Sequence, residues 1–381
     1  MAAPCPPSDV DRAGQSVLNG DSVRQIVHLS IGGLAARVML SNAYGKTPLL
    51  VQSVYAAPVE RGSDVQADAM KPVLFGGKTE VTIAPGQDVT SDAVNEAVTA
   101  GEDFAVSFFV PGKISAPAVH YTALQTSYVI AGDQAATAVW GKPRKITMDL
   151  IVMGIDVASR TSTGAIVALG SSTTDGAHSS MDQNHRWTDW LIVRLQQADG
   201  ASAPAVLNAG ISGNKVLRES GGEWGETFGV SALSRFHRDV LGKSGLKWVV
   251  VFEGGNDIRQ AGAGDSPLDW VSSGSLIKAF SLMAREAHAR KLKIIFGTIT
   301  PSSGNNPNKE VPAWEASRRE VNDWIRTSKE IDGYVDFDKA TRDPHDPARL
   351  LPALDSGDHL HMNDAGYKAM ADSIDLNLFG Q

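Results

Sequence analysis

Ala165-Ile166-Val167-Ala168-Leu169, followed by Gly170-Ser171-Ser172-Thr173-Thr174-Asp175-Gly176, is the stretch that decides the fold. Its unbroken apolar run reads as a strand buried on both faces, the habit of a parallel sheet. The small residues after it permit a tight strand-to-helix turn. A serine on such a turn projects its hydroxyl beside helix N-terminal amides that favour an anion. Trp248–Phe252 and Lys293–Gly297 are further runs of the same kind. Helical spacing links Trp187, Trp190, Leu191 and Arg194, then Leu276, Phe280, Met283 and Ala287, then Val321, Trp324 and Ile325. From residue 165 onward, alternating strand and helix implies an open α/β sheet with helices on both sides. Such sheets bind ligands at the carboxyl ends of their strands.

Upstream the pattern differs. Apolar residues alternate at Val27, Leu29 and Ile31, at Val38 and Leu40, at Val81 and Ile83, and at Val106 and Phe108. Turn chemistry separates these runs, as in Asn42-Ala43-Tyr44-Gly45, Pro85-Gly86 and Pro111-Gly112. Many short strands imply an all-β, sandwich-like domain over residues 1–160, ahead of an α/β domain over 161–381. The boundary is placed near Ser159–Gly164, after Pro143 and the apolar run Ile146–Val157.

The chain has 381 residues, 42% of them hydrophobic and 20% charged, enough to bury a sizeable core. Its net charge of −8 argues against nucleic acid or an anionic membrane as the main partner. Cys5 is the lone cysteine, which excludes an internal disulfide and a thiolate metal cluster. No apolar run approaches the roughly 20 residues of a membrane span. MAAPCPPSDV at the start lacks the basic n-region and apolar core of a signal peptide. A secreted or periplasmic protein with its leader removed and a cytoplasmic one both fit; the Ala- and Pro-rich start favours the first.

Four strand ends carry chemistry. After the first run comes Ser172. After Val206-Leu207 comes Asn208-Ala209-Gly210-Ile211-Ser212-Gly213-Asn214, whose glycine lets backbone N–H groups approach a ligand. After Trp248–Phe252 comes Glu253-Gly254-Gly255-Asn256-Asp257, offering a side-chain NH₂. Near the C-terminus lies Asp358-His359-Leu360-His361-Met362-Asn363. Acyl transfer at neutral pH needs a nucleophile with a base, a carboxylate that orients the base, and donors for the charge developing on the carbonyl oxygen. Ser172, His361, Asp358, Gly213 and Asn256 supply those types, and one turn brings Asp358 to His361.

This ordered set resembles the SGNH (GDSL-type) esterase and lipase superfamily. Each block alone is weak; four in order over about half of the chain are specific. The resemblance implies a flavodoxin-like three-layer α/β/α sandwich and serine hydrolysis of esters. Ser172 would be the nucleophile, His361 the general base and then acid, and Asp358 its orienting partner. The amides of Ser172 and Gly213 and the side chain of Asn256 would form the oxyanion hole. With its β-rich first half, the chain is similar to a branch related to rumen xylan-associated arylesterases and acetylesterases. That similarity rests on the arrangement and on Ser41-Asn42-Ala43-Tyr44-Gly45 and Leu124-Gln125-Thr126-Ser127-Tyr128. Two positions depart from the family pattern. Ser171 stands where the family has Asp, and Met362 where it has Pro.

Rival readings accompany these. Asp355 with His359 is an alternative dyad; His361 is preferred because it stands three residues after Asp358 and directly before Met362-Asn363. His359-Leu360-His361 with the nearby Asp355, Asp358 and Asp364 is open to a metal. No further cluster has metal spacing, so neither metal nor organic cofactor is expected. His178 and His185 read as solvated loop histidines, with pocket lining as the alternative. Trp224, within Gly221-Gly222-Glu223-Trp224-Gly225, is either a stacking wall or packing under a loop. Trp187 and Trp190 read as core. Gly242-Lys243-Ser244 fails as a phosphate loop because His237 occupies the first glycine position.

The expected substrate is a small-molecule or polysaccharide ester with a short acyl chain, acetyl on a plant polysaccharide being the preferred case. Lipase, thioesterase and acyltransferase chemistry use the same groups. From other classes come a carbohydrate-binding surface protein, with the N-terminal domain as its module, and a catalytically dead scaffold. The N-terminal domain shows no aromatic row at period two, which favours a lid or wall over a binding module. Retention on polysaccharide tests the first, and fluorophosphonate labelling of Ser172 the second.

Overall fold

The computed structural model describes residues 3–6, 16–219, 226–260, 271–305 and 312–380. The chain forms two compact units. One runs up to Ser162 and includes Met181–Asn184 and Ala201–Ala203; the other holds Thr163–Ser180, His185–Gly200 and the chain from Pro204.

The first unit is antiparallel β structure. Long strands Val17–His28, Leu49–Arg61 and Asp103–Ser115 form the middle of an eight-stranded sheet. A three-stranded sheet of Val152–Val157, Ala36–Ser41 and Asp88–Thr90 lies against it. Val23, Val51, Val106 and Phe108 of the large sheet share one core with Val38, Leu40 and Val152 of the small one, which is sandwich packing. Period two sends Arg24 and Ile26 to the other face of the large sheet, where Tyr128 and Trp140 cover them. Arg24 is fully buried there. It donates to the Ser107 hydroxyl at 2.7 Å, the Ala138 carbonyl at 3.0 Å and the Thr137 carbonyl at 2.6 Å, with its guanidinium 4.2 Å from the Trp140 ring centre.

One expectation needs correction here. The strand expected to carry Val27, Leu29 and Ile31 ends at His28, so the alternation runs past it. The run Ile146–Val157 is divided among three strands, Arg144–Ile146, Asp149–Leu150 and Val152–Val157. It is broken at Ile151, whose φ of +67° turns the chain between Asp149–Leu150 and Val152–Val157.

The second unit is a three-layer α/β/α sandwich. Strand β1 (Ala165–Gly170) leads to a one-turn helix α1 (Ser172–Asp175) and then to α2 (Trp187–Asp199). Next come β2 (Ala205–Gly210), α3 (Ala232–Phe236), β3 (Leu246–Phe252), α4 (Gly255–Gln260) and α5 (Ser273–Ala289). The order closes with β4 (Lys293–Gly297), α6 (Pro312–Thr327), β5 (Gly333–Val335), α7 (Phe337–Thr341) and α8 (Asp364–Asp372). All five strands are parallel in the order β2-β1-β3-β4-β5, the flavodoxin-like order. Every residue of β1 is buried, as its unbroken apolar run requires.

Helices pack in two groups, α2 with α8 and α3, α5 and α6 in series. Helix α5 begins where the Ser272 hydroxyl accepts the Ser275 N–H, and it buries Leu276, Phe280, Met283 and Ala287 in one stripe. Trp187 is core, whereas Trp190 is only half-buried and stacks on His185, ring centres 5.1 Å apart. The chain leaves β1 for β2 on one side and returns to β3 on the other. The carboxyl ends of β1 and β3 therefore open the crevice where such sheets bind ligands.

Candidate active site

The turn after β1 is built by close packing. A Cβ on Gly170 would sit 2.1 Å from the Thr174 hydroxyl oxygen, so only glycine fits beneath the first turn of α1. Ser172 opens that helix, where its N–H has no intrahelical acceptor. Its Oγ lies 2.7 Å from His361 Nε2. His361 Nδ1 lies 2.6 Å from Asp358 Oδ2.

The Asp358 loop is self-ordering. Oδ1 accepts the backbone N–H groups of Leu360 and His361 at 2.9 and 2.8 Å, and the Ser356 hydroxyl at 3.0 Å. Burial pushes the Asp358 carboxyl up, but the His361 ring, the backbone N–H groups and the His361 charge outweigh it and hold it well below the usual carboxylate range. Asn363 anchors the far end by capping α8, its side chain accepting the Gly366 N–H at 2.9 Å. Met362, where the family has Pro, is fully buried in that stretch.

The rival dyad also forms. His359 Nδ1 lies 2.6 Å from Asp355 Oδ2. Its imidazole is half exposed, and the Ser172 hydroxyl meets His361, so the two dyads share a loop without sharing the serine. His178 is half exposed, as the solvated reading expects, and does not line the cavity, yet it contacts the dyad. Its ring stacks on His361, centres 5.2 Å apart at 24°, and its Nε2 is 3.4 Å from Asp358 Oδ2. His185 lies elsewhere, 2.8 Å from Asp364. Trp224 falls outside the described residues.

The alternative metal grouping of His359 and His361 with Asp355, Asp358 and Asp364 is not the one whose ligand atoms meet. Among the described residues, the ligand atoms that converge are those of His178, Asp358 and His361, all within 4.8 Å of one another. Both His361 nitrogens are already engaged with Asp358 and Ser172.

Gly213 adopts φ +79°, and a Cβ there would meet the Phe228 ring at 2.2 Å. Its neighbours connect it to the other strand ends. Asp175 Oδ2 accepts both the N–H and the hydroxyl of Ser212, at 2.8 and 2.7 Å. Asn256 Nδ2 donates to the Asn214 carbonyl at 2.9 Å. Ser172 and Asn256 line a cavity of about 260 Å³, whose walls include Ile258, Ile299 and Trp314; Gly213 does not line it.

Four supporting side chains escaped the sequence reading. Arg235, fully buried, donates to the carbonyls of Ala209 and Gly170 at 2.7 and 3.0 Å, fastening the ends of β2 and β1, and to Asn214 Oδ1 at 2.9 Å. Asp257 accepts the N–H groups of Val216 and Leu217; burial outweighs those bonds and pushes its carboxyl up to about 6. Glu253 is driven well above the usual carboxylate range by burial, against the pull of Arg235. It bonds Ser171, while its Oε1 has no partner among the described residues. Arg259 donates to Asn256 Oδ1 at 2.7 Å. Glu253, Asp257 and Arg259 flank Asn256 in sequence, but Glu253, Asp257 and Arg235 bond segments distant in sequence, which no local spacing reports.

A hydroxyl hydrogen-bonded to an imidazole, itself held by an ionised carboxylate, is an arrangement able to give up its proton to a base. The GDSL-like lipase/acylhydrolase family model matches residues 168–369, which is more than half of the chain. The chain belongs to this family. It is therefore an ester-hydrolysing enzyme, and all four motif blocks fall within the matched residues. No curated protein matches the chain in sequence. Among solved structures, it is similar to an acetylxylan esterase from Geobacillus stearothermophilus, with 20% identity and a TM-score of 0.43 over 59% of this chain and 97% of that one. A GDSL-like lipase from Bacteroides thetaiotaomicron is similar at 20% identity and a TM-score of 0.40, over 57% of this chain and 88% of that one. Among the described residues of this GDSL-family chain, no helix is long and apolar enough to cross a membrane.

Proposed function

We propose that this chain is a serine esterase for short acyl esters, working through an acyl-enzyme. The observation that carries this reading is the continuous line Ser172 Oγ, His361 Nε2, His361 Nδ1, Asp358 Oδ2, with separations of 2.7 and 2.6 Å. Ser172 Oγ attacks the ester carbonyl carbon while its proton passes to His361 Nε2. Asp358 holds the ring and stabilises the imidazolium. The oxygen of the tetrahedral intermediate takes hydrogen bonds from the Ser172 and Gly213 amides and from Asn256. When the C–O bond breaks, the departing alkoxide takes the proton from His361. Water, deprotonated by the same nitrogen, then attacks the acyl-serine, and the carboxylic acid and free Ser172 result.

The cavity of about 260 Å³ has room for a short acyl group. Acetyl on a polysaccharide is the preferred case, and longer-chain acyl hydrolysis the alternative. The test is a panel of aryl esters from acetate to palmitate beside acetylated xylan, with Ser172→Ala as control. Highest kcat/KM on acetate and release of acetate from xylan are expected. A rise in kcat/KM toward palmitate overturns the short-chain assignment.

A further inference from the structure

Arg259 lines the cavity yet has no part in the steps above. It stands on α4, three residues after Asn256, and its guanidinium forks. One Nη donates to Asn256 Oδ1 at 2.7 Å, and the other to Asn305 Oδ1 at 3.2 Å. Asn305 in turn donates from Nδ2 to the backbone carbonyl of Asp358 at 2.8 Å. One side chain thus touches the amide of Asn256 directly and reaches the Asp358–His361 loop through a single intermediary.

The contrast with Arg318, the other cation of the cavity wall, is informative. Arg318 is neutralised by Glu315 and Asp338, each at 2.7 Å. Among the described residues, both hydrogen-bond partners of Arg259 are neutral side-chain amide oxygens. Burial lowers it to about 10, with the charge of Asp358 opposing, so it remains a cation at neutral pH.

An asparagine amide has two orientations of nearly equal shape, which differ in where the NH₂ points. A cationic donor at one end decides between them. Flipping Asn256 would set its NH₂ against the Arg259 N–H groups, donor facing donor, and leave the Asn214 carbonyl without its bond.

We propose that Arg259 is a positioning residue for ester hydrolysis: its forked hydrogen bonds fix the Asn256 amide with the NH₂ toward the oxyanion and hold it in register with the Asp358–His361 loop. This rests on the roles given above to Ser172, His361 and Asn256. The oxyanion exists only on the way through the transition state, so a loosened donor lowers kcat and leaves KM largely alone. Lysine carries its three donors on one nitrogen and lacks the two-nitrogen fork that spans both amides.

The test is a double-mutant cycle in the full chain with Arg259→Ala, Asn256→Ala and the pair. Two rates are read: hydrolysis of an aryl acetate, and phosphonylation of Ser172 by a fluorophosphonate, whose phosphoryl oxygen enters the same hole. Arg259→Ala is expected to lose about tenfold to a hundredfold in kcat, with KM changed by less than about threefold. On the Asn256→Ala background it should lose less than about twofold more. Added guanidinium ion should restore part of the rate of Arg259→Ala alone. Additive losses in the cycle, a loss confined to KM, or an unchanged kcat overturns the proposal. If Arg259→Ala does not fold, Arg259→Lys keeps the stem and the charge and runs the same cycle, with additivity again the contrary result. A wild-type chain that neither labels nor hydrolyses esters overturns the esterase reading itself, whereas a labelled wild type with an additive cycle overturns only the role of Arg259.

Discussion

Asp175 holds Ser212 by two hydrogen bonds to a single carboxylate oxygen, from the backbone N–H at 2.8 Å and from the hydroxyl at 2.7 Å. The first residue closes the one-turn helix that Ser172 opens; the second precedes Gly213. The carboxylate therefore sets the spacing between the two backbone amides assigned to the oxyanion. Asp175→Ala should leave the Ser212 donors unpaired and destabilise the fold by about 1–3 kcal/mol. It should also lower kcat by about tenfold through displacement of the Gly213 amide. Thermal melts and initial rates on an aryl acetate check both halves.

Gly213→Ala tests the turn directly. The substitution puts a methyl group into the Phe228 ring and a non-glycine residue at φ +79°, a conformation that costs about 1–2 kcal/mol by itself. Alanine keeps the backbone N–H, so the substitution acts by displacing that amide from the oxyanion; a lost oxyanion donor is worth about a hundredfold or more in kcat. A loss of that size is expected here and, separately, for Asn256→Ala, measured by kcat on a short aryl ester.

Much of this was legible in the sequence, and what was not has a physical pattern. Strands β1, β3 and β4 are buried on both faces and so announce themselves as unbroken apolar runs. Strand β5 is three residues long, with Tyr334 exposed, and makes no run at all. Asp358 and His361 were readable because three residues and one turn join them. Asp175, Arg235 and Arg259 act on partners 37, 65 and 46 positions away, across separate strand ends, where no local spacing reports a contact. Arg24 misleads hydropathy for a related reason. Carbonyl oxygens, a hydroxyl and the Trp140 ring meet its charge deep inside the β unit.

The two dyads of one loop predict opposite outcomes for adjacent residues. Asp358→Asn removes the acceptor that orients His361 and should lower kcat by about 10⁴-fold. His359→Ala breaks the equivalent pair with Asp355, which does not touch Ser172, and should leave kcat nearly unchanged. Rates for both variants on one ester decide the assignment.

Asp358 also links the site to stability against pH. Its folded carboxyl is held below the ordinary range, so it stabilises the fold above about pH 4, and this stabilisation is lost as pH falls toward the folded value. The stability gap between wild type and Asp358→Asn should accordingly narrow as the pH is lowered from neutral into the strongly acid range. Urea titrations of both proteins along that series check the sign; a widening gap contradicts it.

The central claim is that Ser172 carries the acyl group. Incubation with a fluorophosphonate followed by peptide mapping tests it most directly. The account predicts one adduct, on Ser172, formed slowly in His361→Ala and not at all in Ser172→Ala. An adduct on another residue, or an enzyme that hydrolyses esters while Ser172 stays unmodified, contradicts it.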